Sequence, residues 1–147
     1  MSGVRFQRAN FIVSDIDKSL EFYRDILGFE VAFIKDSDSQ SYSYPVFEIP
    51  PDRKMRFAVL NTATQVRTMA LTEVEGGLPA LSHPRRSAIV LEIETIDEVV
   101  EKSRAAGLTV YPEEHLVTQD GREGREVGIV DADDNLVLIY WITKLAD

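Results

Sequence analysis

The chain of 147 residues contains no cysteine and only two histidines. The lack of cysteine excludes disulfides, thiol nucleophiles and thiolate metal sites. A metal ion would therefore need histidine and carboxylate ligands. His83 falls in a proline-flanked linker and His115 in a loop, so both are interpreted as surface residues. A ligand role for His115, beside Glu113 and Glu114, is the alternative.

Basic residues and long apolar runs are also scarce. There are 16 Lys and Arg against 25 Asp and Glu, which gives a net charge of −9. Because nucleic-acid binding depends on clustered Lys and Arg, no nucleic-acid partner is expected. No apolar run approaches the roughly 20 residues of a membrane span, and no signal-peptide pattern is present. These absences predict a cytoplasmic protein with no membrane partner.

What the sequence does contain is an internal repeat. Residues 13–17 (VSDID) are echoed by residues 93–97 (IETID). Each copy continues through an amphipathic helical pattern to a glycine, Gly28 or Gly107, and then to a short strand pattern. A repeat this long fits two copies of one supersecondary module rather than a solenoid. We therefore expect a β-α-β-β-β unit used twice, with a site between the copies.

The predicted elements follow from local signals. Asp15 is the expected N-cap of the first helix, and Thr95 with Glu98 has the form of a capping box for the second. Strands are predicted at residues 8–13, 29–31, 46–49, 56–60 and 68–72, and then at 108–110, 125–130 and 136–142. Residues 36–44 form a polar interruption, and residues 73–86 contain the linker between the modules.

Residues 13–29 (VSDIDKSLEFYRDILGF) closely resemble the first-module signature of the glyoxalase, bleomycin-resistance and extradiol-dioxygenase superfamily, the vicinal oxygen chelate proteins. Residues 131–135 (DADDN) resemble a degraded form of the Asp-Pro-x-Gly-Asn turn before the last strand of that family. The resemblance implies an α+β fold, in which two tandem βαβββ modules form a curved, cup-like mixed sheet with the helices outside. We expect one domain over residues 1–147, with module one at about 4–74, a linker at about 75–86 and module two at about 87–143.

The resemblance also implies where metal ligands would lie. Enzymes of this family place His or Gln and Glu residues at four equivalent positions of the inner strands. In this sequence these positions fall on Arg8, Ala70, Ala88 and Leu138, none of which is a usual ligand. We therefore expect no metal and no cofactor. A shift of register that makes Glu73 or Glu92 a ligand remains open.

Side-chain alternation along the strands predicts the lining of the cup. The predicted ligand-binding residues are Arg8, Asn10, Thr68, Ala70, Ala88, Leu138 and Tyr140. Arg8 is interpreted as an anchor for a carboxylate, phosphate or enolate oxygen. The alternatives are an internal ion pair, with Glu92 as the nearest candidate, or a partly solvated arginine at the strand edge. Aromatic residues that would suit a planar ligand are Phe6, Tyr42, Tyr44, Phe47, Phe57 and Tyr111. Arg56 and Glu48 are expected to form a cross-strand surface pair.

Two functions remain open at this point. The first is a metal-independent protein that binds a small aromatic or carbonyl-bearing molecule without altering it. The second is a lyase or isomerase in which Arg8 stabilises an oxyanion and Glu92 is the general base, so that both are catalytic. The resemblance and the exposed edges of a small sheet also predict a homodimer.

Overall fold

A computed structural model describes residues 3–79 and 86–147, and the chain divides into two compact units, Met1–Pro79 and Ala80–Asp147. His83 and part of the predicted linker lie outside the described residues. Both units combine a mixed β-sheet with helices, so the predicted α+β class is confirmed. The predicted cup concerns the relation between the modules and stays a prediction.

Unit 1 contains four strands in the spatial order β1-β4-β3-β2. Strand β1 runs parallel to β4, and the remaining pairs are antiparallel. The elements in chain order are β1 (Ala9–Val13), α1 (Ile16–Leu20), which continues as a π-helical segment (Glu21–Ile26), β2 (Glu30–Asp36), α2 (Ser43–Val46), β3 (Met55–Asn61) and β4 (Met69–Val74).

Unit 2 repeats this plan in the order β5-β9-β8-β6, with an additional short strand, β7, paired to β8. The parallel pair is β5 with β9, as in unit 1. The elements are β5 (Ile89–Glu92), α3 (Ile96–Ala105), β6 (Thr109–Val110), β7 (Glu114–Val117), β8 (Glu123–Val130) and β9 (Leu136–Lys144). The predicted repeat of a βαβββ module is therefore confirmed, with β7 as an insertion in the second copy.

Helix α1, with its π-helical continuation, and helix α3 begin and end largely as their sequences predict. The carboxylate of Asp15 accepts a hydrogen bond from the Lys18 N–H at 3.1 Å and caps α1. Gly28 and Gly107 follow the helical segments with φ of 96° and 78°, a conformation that favours glycine. The predicted capping box is wrong, because the Thr95 side chain makes no cap hydrogen bond to α3.

The predicted strand at residues 46–49 is also wrong. Residues Ser43–Val46 form the short helix α2 instead, and the chain then turns at Glu48, which has a φ of 53°. The buried Ile49 packs with Met55 and Val74, and the half-buried Tyr44 packs against the same cluster. The apolar residues that suggested a strand therefore anchor a loop to the sheet.

The two faces of the unit 1 sheet have different neighbours. On one face Phe11 contacts Tyr23 of the helical segment, with 6.3 Å between ring centroids. Asn10 and Thr72 point to the other face, because neighbouring strand residues alternate. We call this second side the pocket face. It carries the functional candidates of unit 1, while the first is covered by a core that includes Ile16, Leu20 and Leu71.

No helix in the described parts of the chain is long and apolar enough to cross a membrane. The predicted homodimer stays a prediction, which light scattering at micromolar concentration would test.

Candidate functional site

A pocket of about 520 Å³ lies on the pocket face of unit 1. This volume is within the usual range of small-molecule sites. Its lining is polar for the most part and consists of Arg8, Asn10, Lys35, Asp36, Ser37, Asp38, Ser41, Ser43, Phe57, Ala70 and Thr72. The predicted site residues Arg8, Asn10 and Ala70 are thus brought together. Their side chains share one space because they come from one face of adjacent strands.

Arg8 is the most distinctive charge of the pocket. It lies directly before β1, is half-buried, and makes no ion pair or side-chain hydrogen bond within residues 3–79 and 86–147. Lys35 adds a second positive charge, with its ammonium 5.9 Å from the centroid of the Phe57 ring. The acids Asp36 and Asp38 are exposed, so water can solvate them. The pocket can therefore offer cationic donors to an anion or a carbonyl oxygen.

Beside Arg8, the side chains of Asn10 and Thr72 are joined. The Thr72 hydroxyl donates a hydrogen bond of 2.8 Å to the Oδ1 atom of Asn10. The Asn10 Nδ2 atom is buried and has no hydrogen-bond partner in the described part of the chain. Ala70, which is opposite Asn10 in the parallel register, contributes only a methyl group to the pocket lining.

One wall of the pocket comes from the polar interruption after β2. Ser37, Asp38, Ser41 and Ser43 all line the pocket. This segment is held in place where it returns to the sheet, because the Tyr44 hydroxyl donates to the Arg53 carbonyl at 2.7 Å. The Arg53 guanidinium donates in turn to the carbonyls of Glu75 and Gly77 at 2.8 Å. From the sequence alone this segment was interpreted only as a polar interruption. The signal that could have indicated a pocket wall is the high density of serine hydroxyls in residues 37–43.

Several predicted site residues of unit 1 lie elsewhere. Thr68 belongs to the connection before β4, where its carbonyl accepts the Ala9 N–H at 3.1 Å, and it does not line this pocket. Of the predicted aromatic residues only Phe57 lines it. Phe6 and Tyr42 are about three-quarters exposed, at 75% and 77%. The lining therefore favours a carbonyl-bearing or anionic ligand over a large aromatic one.

The remaining predicted residues belong to unit 2. Glu92 and Tyr140 are neighbours in the parallel register of β5 and β9, and the Tyr140 hydroxyl donates to Glu92 Oε2 at 3.1 Å. Burial and this bond raise the pKa of Tyr140, so its hydroxyl remains a donor at neutral pH. Leu138 lies on the same face, and Ala88 is exposed ahead of β5. The proposed pairing of Arg8 with Glu92 stays a prediction.

The residues at the four implied metal positions do not fit a metal ion. The Arg8 guanidinium is a cation without acceptor atoms, and Ala70, Ala88 and Leu138 carry no donor atom. The alternative through Glu73 also fails, because this carboxylate lies on the helix side and binds Arg56 at 2.8 Å and the Ile16 N–H at 2.7 Å. No cluster of three His, Asp or Glu residues suited to a metal occurs where the structure is described.

His115 and two other predicted surface charges have specific partners. His115 Nε2 lies 2.9 Å from Glu123 Oε1. Arg125 binds Glu113 at 2.7 Å and lowers the pKa of its carboxyl group. The predicted pair of Arg56 with Glu48 is wrong, since Arg56 binds Glu73 and Asp17. These ion pairs are structural contacts of the sheets and helices.

Known structures share this fold over nearly the whole chain. A glyoxalase family protein from Bacillus cereus is similar with a TM-score of 0.71 and 15% identity, over 97% of this chain and 96% of that one. A glyoxylase/bleomycin resistance protein/dioxygenase domain from Frankia sp. EAN1pec gives 0.66 and 20%, over 97% and 93%. A fosfomycin resistance protein from Listeria monocytogenes, in complex with Mn(II) and sulfate, gives 0.63 and 19%, over 97% and 94%.

A comparison with functionally curated proteins found no match. The family model of the Glyoxalase/Bleomycin resistance protein/Dioxygenase superfamily matches residues 5–139, which includes both repeated modules and the pocket of unit 1. The match extends well beyond the signature at residues 13–29. The chain therefore belongs to the Glyoxalase/Bleomycin resistance protein/Dioxygenase superfamily.

Proposed function

We propose that this chain is a metal-independent member of the superfamily, which binds a small carbonyl-bearing or anionic molecule in the pocket of unit 1. One observation carries the proposal: Arg8 lines the pocket, is half-buried, and has no acidic partner among the described residues. A partly desolvated guanidinium that is paired with no acceptor is costly, and an oxygen of a ligand would supply an acceptor. The same residue occupies a position where relatives are expected to hold a metal ligand.

The chemistry of the pocket supports a cation in place of a metal ion. A divalent ion in a relative can polarise a carbonyl or neutralise an anion. Arg8 can orient the same groups through charge-assisted hydrogen bonds, with Lys35 as a second positive charge. The Listeria relative holds Mn(II) and sulfate, whereas the implied ligand positions here have no donor atoms for a metal. Binding of an anion is thus compatible with this chain without the metal.

The first test is a thermal-shift screen of small carboxylates and carbonyl compounds in the presence of EDTA. A ligand at one hundred times its Kd should stabilise the fold by about 2.7 kcal/mol and raise Tm by roughly 5–10 °C. Arg8→Ala should weaken binding about tenfold to a hundredfold, because a hydrogen bond to a charged group is worth about 1.5–3 kcal/mol. Arg5→Ala is the matched control, since it removes the same charge outside the pocket lining.

The proposal fails if Arg8→Ala and Arg5→Ala bind the hit equally well, or if hits are found only when a transition metal replaces EDTA in a parallel screen. Elemental analysis should find no stoichiometric metal in the purified protein.

The compound found in the thermal-shift screen also distinguishes a binding protein from an enzyme. Recovery of the unchanged compound, without deuterium from heavy water, favours a binding protein. Consumption or exchange that stops in Glu92→Gln would instead favour the lyase or isomerase.

A further inference from the structure

The pocket wall formed by residues 37–44, which we call the serine wall, is attached to the sheet at both of its ends. At its start, the Ser37 N–H donates to the Met55 carbonyl at 3.0 Å. At its end, the Tyr44 hydroxyl donates to the Arg53 carbonyl at 2.7 Å. Both acceptors belong to the stretch of backbone where the chain enters β3, so one short segment holds both ends of the wall.

The same stretch of backbone also holds the exit turn, residues 75–77, through which the chain leaves β4. The Glu75 N–H donates to the Lys54 carbonyl at 2.9 Å. The Arg53 guanidinium donates from Nη1 to the carbonyls of Glu75 and Gly77, both at 2.8 Å. The boundary between the two units follows shortly after this turn. The entry to β3 is therefore in contact both with the pocket wall and with the chain that leads to unit 2.

The exit turn is shaped to receive the Arg53 side chain. Gly76 and Gly77 have φ of 80° and 69°, a conformation that favours glycine. An added Cβ at Gly76 would lie 3.1 Å from the Arg53 Nη1 atom, which is closer than an ordinary contact. Arg53 is half-buried and has no ion pair in the described part of the chain. The carbonyls of the turn are thus the observed acceptors of this guanidinium.

We propose that Arg53 is a positioning residue that couples the serine wall to the exit turn, so that the shape of the pocket depends on the conformation of the chain leading to unit 2. Its side chain binds the turn and its main-chain carbonyl binds the wall. Coupling of this kind is reciprocal, because a change that loosens one partner loosens the other by the same factor. The coupling is a property of the pocket itself and does not depend on which ligand class the pocket binds.

Amide hydrogen exchange of the ligand-free protein, followed by NMR, tests this coupling. The reporters of the wall are the N–H groups of Ser37 and Tyr44, and the reporters of the turn are those of Glu75 and Gly77. Arg53→Met removes the guanidinium and keeps an unbranched stem. It should accelerate exchange at the reporters of both the turn and the wall by about two- to tenfold, the range that corresponds to one hydrogen bond. Arg53→Lys retains a cationic donor and should restore part of the protection.

Tyr44→Phe tests the coupling from the other end. It removes the bond to the Arg53 carbonyl and keeps the ring, which packs against the cluster around Ile49. Exchange should then accelerate at the reporters of the turn, although the hydrogen bonds of the turn itself are not substituted. Tyr42→Phe is the matched control, because Tyr42 belongs to the same wall and is 77% exposed. The mildness of Tyr44→Phe lets it carry the test even where Arg53→Met fails to fold.

The result at the far end of each substitution decides the inference. Acceleration at the wall in Arg53→Met and at the turn in Tyr44→Phe, with none in Tyr42→Phe, supports the coupling. If each substitution accelerates exchange only at its own end or nowhere, the two attachments are independent and the inference is overturned. The Gly121 N–H, which donates to the Thr118 carbonyl of unit 2 at 3.0 Å, reports on general destabilisation. Equal acceleration there would reduce Arg53 to a general stabilising residue, which also overturns the inference.

Discussion

The two units repeat one topology, yet they secure their helices with different side-chain networks. In unit 1, Arg56 of β3 binds Glu73 on the neighbouring strand at 2.8 Å and Asp17 of α1 at 3.2 Å. Glu73 also accepts the Ile16 N–H at the start of α1, at 2.7 Å. One carboxylate, 18% exposed, thereby connects two strands and a helix. Unit 1 concentrates its polar contacts on a single partly buried residue.

In unit 2, Arg125 of β8 makes the corresponding contact with Asp97 of α3, at 2.5 Å. Asp17 and Asp97 are equivalent residues of the repeat. The second partner differs, because the residue opposite Arg125 on β9 is Trp141, which cannot accept an ion pair. Glu113, just before β7, takes that role at 2.7 Å and is 42% exposed. A duplicated topology therefore does not require a duplicated network.

The sheet faces away from the helices differ as well. Unit 1 has the polar pocket with Arg8 and Asn10 on this face. In unit 2, the corresponding face carries Gly128, where an added Cβ would lie 3.3 Å from both Leu138 and Tyr111. The absence of a side chain thus makes space for larger apolar neighbours. The two copies therefore carry different side chains on this face, with Arg8 and Lys35 in unit 1 and Leu138 beside the Tyr140–Glu92 pair in unit 2.

The largest effect that distinguishes the two networks is expected from Glu73. Glu73→Ala removes the bonds to Arg56 and to the Ile16 N–H and leaves a half-buried arginine with only Asp17. We expect a loss of about 2–3 kcal/mol in the free energy of unfolding. Glu113→Ala, the matched change in unit 2, should cost less than about 1 kcal/mol because the pair is more exposed. Urea denaturation measures both, and equal losses would contradict the comparison.

The next effect concerns a feature that both units share. Gly28 and Gly107 end their helical segments at positive φ, and neither has an atom of the described residues within 4 Å of an added Cβ. Replacement by alanine should therefore act through the backbone alone and cost about 1–2 kcal/mol at each site. The two losses, measured by urea denaturation, should agree within about 0.5 kcal/mol. A clear difference between the two losses would show that the two helix ends are not equivalent. Asparagine at either site should cost less than alanine, because asparagine adopts positive φ more readily.

A smaller effect is the acid dependence of the Arg125 network. Hydrogen bonds from Arg125 lower the pKa of Asp97 and of Glu113. A carboxyl group whose pKa is lower in the folded than in the unfolded state stabilises the folded protein at any pH above its unfolded pKa, which is near 4. This stabilisation is lost as the pH falls through the folded pKa. The stability difference between wild type and Arg125→Met should therefore be full at pH 7 and shrink below about pH 4. A difference that is constant from pH 7 to pH 2.5 in urea denaturation would contradict this.

The smallest effect is expected at the turn between β8 and β9. Asp134 has a φ of 75°, in a turn where the Asp131 side chain accepts the N–H groups of Asp133 and Asn135 at 2.9 and 2.8 Å. Asp134→Gly should relieve the backbone and raise the unfolding free energy by about 0.5 kcal/mol, since aspartate tolerates this conformation better than most residues. The matched control is Asp133→Gly in the same turn, where φ is not positive and glycine should destabilise. Thermal melts of the two variants would test this, and an equal change in both would contradict it.

Much of the fold could be predicted from local patterns. The repeat, the helix start at Asp15, the stops at Gly28 and Gly107 and the strands β3, β4, β8 and β9 depend on spacing and on residues with strong backbone preferences. The segment at residues 46–49 was mispredicted because its apolar residues pack as a loop against Met55 and Val74. A short apolar run does not distinguish a strand from a packed loop.

For the site, the sequence by itself determined that Arg8, Ala70, Ala88 and Leu138 offer no metal ligands, because that follows from residue chemistry alone. It also indicated Arg8 and Asn10 through alternation along the first strand. Only the tertiary structure decided that Thr72 engages the Asn10 oxygen, that serines of residues 37–43 form a wall, and that Glu73 faces the helix. These facts depend on register between strands far apart in the chain, and a shift of one residue reverses the face of every side chain.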